Sequence, residues 1–434
     1  NHKREFGENI KRGLKLVMKK KVSIEEKYKL ICLCLSGKKN DNEKYIKFKE
    51  HTINRLFKFM NEEKSLKNEA EVVIQLQKIF YKLEMGVNFH FLYKKNMISV
   101  GGAFSSGKTS FINSFIKDKN LKLPEGLRPT TAIPTYIINN QSVKVTGSSK
   151  KGSVIDIPNE IFSNIDHEYI NELEYNIRDL VNILVISIPM VSGFSNICLI
   201  DTPGYNSYLE GDNLHTNNLD NKLAIEELEK SNSIIWIIDI TVGVITSNDI
   251  SIINKIKDRK LYIVLNKSEL VPETSHDKII NQIKSNLEND NIVYEGISVY
   301  SSRQKKEFRF VKKSLNQFLS EENIDFNLCD EIKKEFKFIT KLYYDAIQED
   351  KAEQRERLLK IGATVDEVFD KILELERPID KIKANKYLEI LNYSSNKIKK
   401  QFSVIEYNNQ LDELKKIEEE ILSSLDEIFL EIEK

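Results

Sequence analysis

An α/β domain with a mostly parallel sheet and helices on both faces, joined to an α-helical bundle formed by both chain ends, is the fold this sequence predicts. Three observations predict it. Between residues 93 and 325, short β-compatible apolar runs alternate with helix-period runs, the order that strands joined by crossover helices produce. Before that span, in the N-terminal segment 1–92, Ser23 to Met85 holds almost no breakers, and Leu66, Ala70, Val73, Leu76, Phe80 and Leu83 recur three and four residues apart, one apolar stripe on a long helix. After it, residues 326–434 hold two more stripes. The first is Leu358, Ile361, Val365, Val368, Ile372 and Leu375; the second is Leu411, Leu414, Ile417, Ile421, Leu425, Ile428 and Ile432. Arg377-Pro378 separates them, since proline breaks or kinks a helix. Stripes of this kind must be buried, so the simplest arrangement packs the N-terminal helices against the C-terminal ones as one antiparallel bundle.

Within the α/β span the first element is the strand-like Met97-Ile98-Ser99-Val100, followed by Gly102-Ala103-Phe104-Ser105-Ser106-Gly107-Lys108-Thr109-Ser110 and the helix-like Phe111 to Ile116. Strand, loop and helix in that order are the context of the phosphate-cradling pattern G-x-x-x-x-G-K-[ST]. Gly102 and Gly107 let backbone N–H groups of the loop, including Ser105 and Ser106, point inward at phosphate oxygens. Lys108 adds a point charge for the β- and γ-phosphates, and the Thr109 hydroxyl can ligate Mg²⁺. The following helix aims its positive end at the same place.

Three further elements follow in the order of a guanine-nucleotide domain. Asp201-Thr202-Pro203-Gly204 ends the apolar run Ile197 to Ile200, so the carboxylate can reach the Mg²⁺ shell and Gly204 can offer its N–H to the γ-phosphate. Asn266-Lys267-Ser268-Glu269 ends Leu261 to Leu265 and matches N-K-x-D, with Glu269 as the acid that accepts hydrogen bonds from the base. Ser301 and Ser302, after Gly296 to Tyr300, stand where a fifth element packs beside the base. Between these lie an insertion over 137–188, with a hairpin expected around Asn139-Asn140 and a helix over 158–177, and an Asn-, Tyr- and Gly-rich stretch, 204–220, expected to be a second switch.

The segment Leu123-Pro124-Glu125-Gly126-Leu127-Arg128-Pro129-Thr130-Thr131-Ala132-Ile133-Pro134-Thr135, taken with the phosphate loop and the D-T-P-G box, resembles the bacterial dynamin-like GTPases from Met97 to about Leu319. The resemblance implies GTP hydrolysis to GDP and phosphate. It makes Thr131 the threonine of the first switch, holding Mg²⁺ and the attacking water, with Thr130 as the alternative. It makes Ser105 the serine that helps hold a monovalent cation. It implies head-to-head pairing of two nucleotide domains, a neck built from both chain ends, and membrane remodelling or membrane-associated assembly. The expected partners are GTP, a second copy, a lipid membrane or a partner dynamin-like protein, and the expected location is cytoplasmic, peripheral at the inner membrane face. Two departures stand out. Glu269 replaces the usual aspartate, and Phe104 lies where animal dynamins have a water-orienting glutamine.

Composition bounds the rest. Sixty-six basic and 66 acidic residues cancel over 434, so no global field recruits nucleic acid and any anionic contact must be local. Local basic clusters occur at Lys11, Arg12, Lys15, Lys19, Lys20 and Lys21, which with Ile10, Leu14 and Val17 could lie on an anionic membrane as an amphipathic helix, and at Arg303, Lys305, Lys306, Arg309, Lys312 and Lys313; a solvated face is the first reading of both. Cys32, Cys34, Cys198 and Cys329 lack metal-ligand spacing and read as buried thiols in a reducing compartment. No run reaches the roughly 18 apolar residues of a bilayer span, and the apolar Ile234 to Ile238, with Trp236, reads as a core strand. The chain opens on Asn1, which leaves the native start and any targeting signal outside it. Two other functions fit the motifs: a GTP-switched scaffold that barely hydrolyses, and a P-loop nucleotidase without guanine selectivity.

Overall fold

A computed structural model describes residues 32–33, 38–39, 42–117, 122–123, 133–149, 153–158, 181–191, 193–202, 204, 225–374, 378–401 and 404–433. The chain divides into two units, 1–40 with 94–326, and 41–93 with 327–434.

In the first unit, eleven strands among the described residues form one mixed sheet: β1 Lys38–Lys39, β2 Asn96–Gly102, β3 Thr135–Asn139, β4 Lys144–Ser149, β5 Ser153–Ile157, β6 Val181–Ile188, β7 Ile197–Asp201, β8 Ser233–Asp239, β9 Lys260–Asn266, β10 Gly296–Ser301 and β11 Lys306–Val311. Their order is β1-β5-β4-β6-β3-β7-β2-β8-β9-β10-β11. The run β7-β2-β8-β9-β10 is parallel throughout, as the alternation of strands and helices predicts. An antiparallel wing continues it beyond β7, interrupted by one parallel pair, β3 with β6.

The parallel strands are apolar on both faces because both faces are covered. Along β8, Ile235 and Ile237 enter one core with Ile98, Val100, Phe111 and Val264, whereas Ile234, Trp236 and Ile238 enter the other with Ile263, Leu265, Ile252 and Ile283. Trp236 is fully buried, and its indole N–H donates to Asp249 Oδ1 at 2.9 Å. Asp249 and Thr246 in turn form the capping box of the helix Ser247–Lys255.

The second unit is a bundle. Its first chain segment supplies α1 Glu43–Thr52, a π-turn Ile53–Phe57, α2 Lys58–Glu62 and α3 Glu69–Asn88. With α4 Lys108–Ser114, α5 Ser247–Lys255, α6 His276–Asn289 and α7 Leu315–Glu322 in the nucleotide unit, the C-terminal helices are α8 Leu328–Leu373, α9 Pro378–Gln401 and α10 Ile405–Ile432. α8 packs on α3, α9 and α10, and α10 packs on α1. The seams are period-matched: Val72, Leu76, Ile79 and Leu83 on α3, Ile332, Phe336, Ile339, Tyr343 and Ile347 on α8, and Leu414, Ile417, Ile421, Leu425 and Ile428 on α10 are all buried. Lys82 adds an ion triad with Glu331 and Glu335.

Several expectations need correction. Asn139-Asn140 does not turn a hairpin, because β6 lies between β3 and β4; the adjacent antiparallel pair is β4 with β5. The N-terminal region is not one long helix. The buried Glu63 carboxylate accepts the N–H groups of Ser65 (2.6 Å) and Leu66 (3.4 Å), which ends α2 and leaves Leu66 outside α3. Of the expected stripe on α3, Leu76 and Leu83 are buried, but Val72 and Ile79 complete the buried face, while Ala70 is exposed and Val73 and Phe80 are half-buried. On α8, the expected stripe from Leu358 onward contains no buried residue among those described; the buried stripe lies upstream. A helical period marks a face but not which stretch of a 46-residue helix meets a neighbour. Cys32 is exposed, whereas Cys198 and Cys329 are buried. Cys34, the expected helix 158–177 and the basic cluster 11–21 lie outside the described residues.

Candidate nucleotide site

The C-terminal ends of the parallel strands form one edge. Register places Asp201 of β7 beside Val100, Gly102 of β2 beside Ile237, and Asp239 of β8 beside Asn266 of β9. β10 ends in the same direction at Ser301. Open α/β sheets hold ligands outside this edge, and the motif residues converge here.

The phosphate loop leaves β2 at Gly102 and enters α4 at Lys108. Two of its glycines are sterically required. Gly102 has φ +140, and a Cβ on it would stand 2.3 Å from the Ile237 carbonyl oxygen; Gly107 has φ +91, and its Cβ would stand 2.4 Å from Asn266 Nδ2. Ser105, exposed at the loop's tip, also takes a positive φ of 63. Lys108 is buried and its ammonium donates back to the carbonyls of Gly102 (3.2 Å) and Ala103 (3.1 Å). Burial pushes its pKa down to about 8, opposed by the charge of Asp201. The buried Ser106 hydroxyl has no hydrogen-bond partner among the described residues. A buried hydroxyl left unmet in this loop fits an oxyanion ligand.

Thr109 Oγ1 donates to Asp201 Oδ2 at 2.8 Å, which brings hydroxyl and carboxylate oxygens together from α4 and β7. These are hard donors of the kind Mg²⁺ takes, so the residues present fit that ion. Next to Asp201, the buried Thr202 hydroxyl donates to the Val100 carbonyl at 2.7 Å and ties β7 to β2. Gly204 lies close over the loop: a Cβ there would be 2.9 Å from Phe104 Cα and 3.0 Å from Lys108 Nζ.

The strand end expected to read the base is bound to the expected phosphate loop through Asn266. Its Nδ2 donates to the carbonyls of Ser106 (3.2 Å) and Gly107 (3.3 Å), while its Oδ1 accepts from the Ser302 N–H (3.2 Å) and hydroxyl (2.7 Å). Glu269 Oε2 accepts from the Ser301 hydroxyl at 2.5 Å. Lys267 has a left-handed backbone, φ 65, and its ammonium pairs with Asp239 Oδ2 at 2.6 Å.

Asp239 is the residue that the motif search missed. Burial alone would raise its pKa, but hydrogen bonds from Lys267 and Thr241 outweigh it and leave the carboxyl below its ordinary value. The signal was present, since Asp239 ends the apolar run Ile234 to Ile238 at the same strand-end position as Asp201 and Asn266.

Thr130 and Thr131 lie outside the described residues, as do 205–220 of the expected second switch. Their flanks are described. Asn113 holds Leu123 through its side-chain amide, donating at 3.0 Å and accepting at 2.8 Å, and Thr135 at the start of β3 lies opposite Asp201. The basic cluster 303–313 is engaged locally: Lys305 donates to the Ile116 carbonyl, Lys312 lies over the Tyr294 ring, and Lys313 pairs with Glu295 and Glu321.

None of the curated proteins matches the chain. Among solved structures, two from an oligomerised bacterial dynamin pair, described for long-range sensing and tethering of membranes, are similar at 17% and 15% identity, with TM-scores of 0.34 and 0.37. The match covers 74% of this chain and 47% of the first, and 96% of this chain and 76% of the second. Era from Aquifex aeolicus bound to GDP and aluminium fluoride matches at 18% identity and a TM-score of 0.28, over 49% of this chain and 52% of its own. The Dynamin family model matches residues 98–268, which run from β2 through the phosphate loop and the D-T-P-G box to Ser268 of the base-reading element. Over that stretch, the chain is similar to the Dynamin family.

Proposed function

We propose that this chain binds GTP, hydrolyses it to GDP and phosphate, and couples nucleotide state to movement of its helical bundle, in membrane remodelling or membrane-associated assembly. The observation that carries the nucleotide part is Asn266, whose one amide joins the phosphate loop, the base-reading strand end and the fifth element. Phosphate-binding and base-reading groups are thereby held at one fixed separation, which suits a nucleoside triphosphate.

Chemistry of this class is positioning and charge stabilisation. Loop N–H groups and α4 receive the β- and γ-phosphates. Lys108, released from the carbonyls of Gly102 and Ala103, offsets negative charge that builds toward the β-phosphate as the bridging bond to the γ-phosphorus breaks and a water oxygen bonds to it. Thr109 and Asp201, with Thr131, would hold Mg²⁺, which when bound neutralises triphosphate charge. Gly204 offers its N–H to the γ-phosphate, Thr131 orients the water, and Ser105 would help hold a monovalent cation. Glu269 accepts from the guanine edge, with Lys267, Ser301 and Ser302 around the base. Head-to-head pairing of two nucleotide domains completes the site.

Steady-state hydrolysis of GTP and ATP against protein concentration tests the reading. Turnover selective for GTP and rising per molecule with concentration is the expected result. GTP binding without turnover would favour the switched scaffold, and equal use of ATP would favour a generic nucleotidase.

A further inference from the structure

We propose that Asp239 is a positioning residue of the nucleotide site, fixing the Lys267 side chain so that its aliphatic stem supports the base and its ammonium is held away from the phosphates. The inference rests on the proposed function and deepens it, because it names a determinant of nucleotide affinity outside the sequence motifs.

Two strand ends bring the pair together. Asp239 ends β8 in direct register with Asn266 at the end of β9, and the Ile240 N–H donates to the Asn266 carbonyl at 3.0 Å, so the chain leaves both strands side by side. Lys267 then takes a left-handed backbone, φ 65, which a lysine adopts rarely. Its ammonium reaches Asp239 Oδ2 at 2.6 Å, and a Cβ on Gly107 would lie 3.8 Å from Lys267 Cε. The lysine stem therefore runs past the last glycine of the phosphate loop. The Lys267 and Asp239 side chains are 28% and 21% exposed, so part of each is open to a ligand.

The carboxylate's acceptor sites are already committed. Oδ2 takes the Lys267 ammonium, and Oδ1 takes the Thr241 N–H at 2.9 Å and its hydroxyl at 2.6 Å. Three protein donors leave little acceptor capacity for a nucleotide, so Asp239 acts through Lys267 and not by contact. Burial opposes its charge, but the hydrogen bonds from Lys267 and Thr241 outweigh it and keep the carboxyl ionised. Lysine carries a compact charge on a flexible stem, and an unheld ammonium here would be drawn to the triphosphate and leave the base without its support. A partly exposed ion pair contributes little to the fold, which puts its effect on the ligand. The two carboxylate oxygens separate two roles, a turn made with Thr241 and the hold on Lys267. Asparagine at 239 keeps an oxygen for the turn and sets an uncharged amide against the ammonium.

The test is calorimetry of GDP and GTP binding, with GTP turnover, for the full chain carrying Asp239→Asn, Lys267→Met or both. Asp239→Asn should weaken GDP and GTP alike by about tenfold, the loss of one charge-assisted hydrogen bond, and should raise KM more than it lowers kcat. The double variant should bind no more weakly than Lys267→Met alone, because Asp239 has nothing else to act through. Circular dichroism checks that each variant is folded. Unaltered affinity in Asp239→Asn overturns the proposal, as do losses that add in the double variant. A fall in kcat at constant KM would assign Asp239 to the chemical step and overturn it too. If Asp239→Asn does not fold, Lys267→Met, which leaves the Thr241 turn intact, carries the test, and unaltered GDP affinity there overturns the proposal. The parent separates the two readings: GDP binding by the parent with unaffected variants sinks the positioning role alone, and no GDP or GTP binding by the parent sinks the nucleotide reading beneath it.

Discussion

The Ser301 hydroxyl donates to Glu269 Oε2 at 2.5 Å, so the segment after β10 directly holds the acid proposed to read the base. A glutamate has one more rotatable bond than the aspartate usual at this position, and an unheld carboxylate would lose selectivity to rotamer entropy. Ser301 restrains it. GTP should therefore out-compete ATP by at least about tenfold, and Glu269→Ala should erase that preference. Ser301→Ala should weaken GDP by about tenfold and leave the secondary structure unchanged. Competition calorimetry reads both, and an unaltered GDP affinity in Ser301→Ala would show that Glu269 is positioned otherwise.

Lys108 supplies a pH prediction. Burial holds its ammonium at about 8 in the free protein, and a bound triphosphate favours the charged form. Affinity is then full below about pH 8 and falls as pH rises through it, by about tenfold between pH 7 and pH 9. Lys108→Ala should remove both the affinity and the slope. A flat profile in the parent protein would show that the charge of Lys108 is not needed for binding.

Thr131→Ala should bind GTP normally and lose turnover, since a switch threonine contributes once the loop has closed on the attacking water. If Thr130→Ala loses turnover instead, the neighbour holds the role. Normal hydrolysis by both variants would remove the segment from the mechanism.

Coupling to the bundle has a spectroscopic test. Spin labels at Ser285 in α6 and Ser424 in α10 should change separation between GDP and a GTP-state analogue, because only groups that touch the γ-phosphate differ between those states. A transition-state mimic should also raise the apparent mass through pairing of nucleotide domains. Constant distances and constant mass would make the bundle a brace.

Stability should be unequal along the C-terminal helices. Ile421 of α10 is fully buried, so Ile421→Ala should cost about 3 kcal/mol, whereas Leu359 of α8 is 69% exposed and Leu359→Ala should stay within about 0.5 kcal/mol. Urea unfolding followed by far-ultraviolet circular dichroism measures both. Similar losses at the two positions would show that a further layer covers the distal part of α8.

What the sequence determined by itself was local in its physics. A glycine loop between a strand and a helix, and polar residues ending apolar runs, depend on backbone freedom and side-chain type within about ten residues, so Lys108, Thr109, Asp201, Asn266 and Glu269 stand out as candidates one at a time. The parallel centre of the sheet was legible from the alternation of strands and helices. Only tertiary structure decided the rest, because each of these features depends on a neighbour remote in the chain. Asp239 matters through Lys267, Glu269 through Ser301, and Asn139-Asn140 fails to turn a hairpin because β6 arrives from more than 40 residues downstream. The same holds for α8, whose apolar period continues past Leu358 although its last buried residue is Ile347, and packing on α9 leaves the described residues beyond it half-buried or exposed. Periodicity records which face could be buried; the fold decides where a partner meets it.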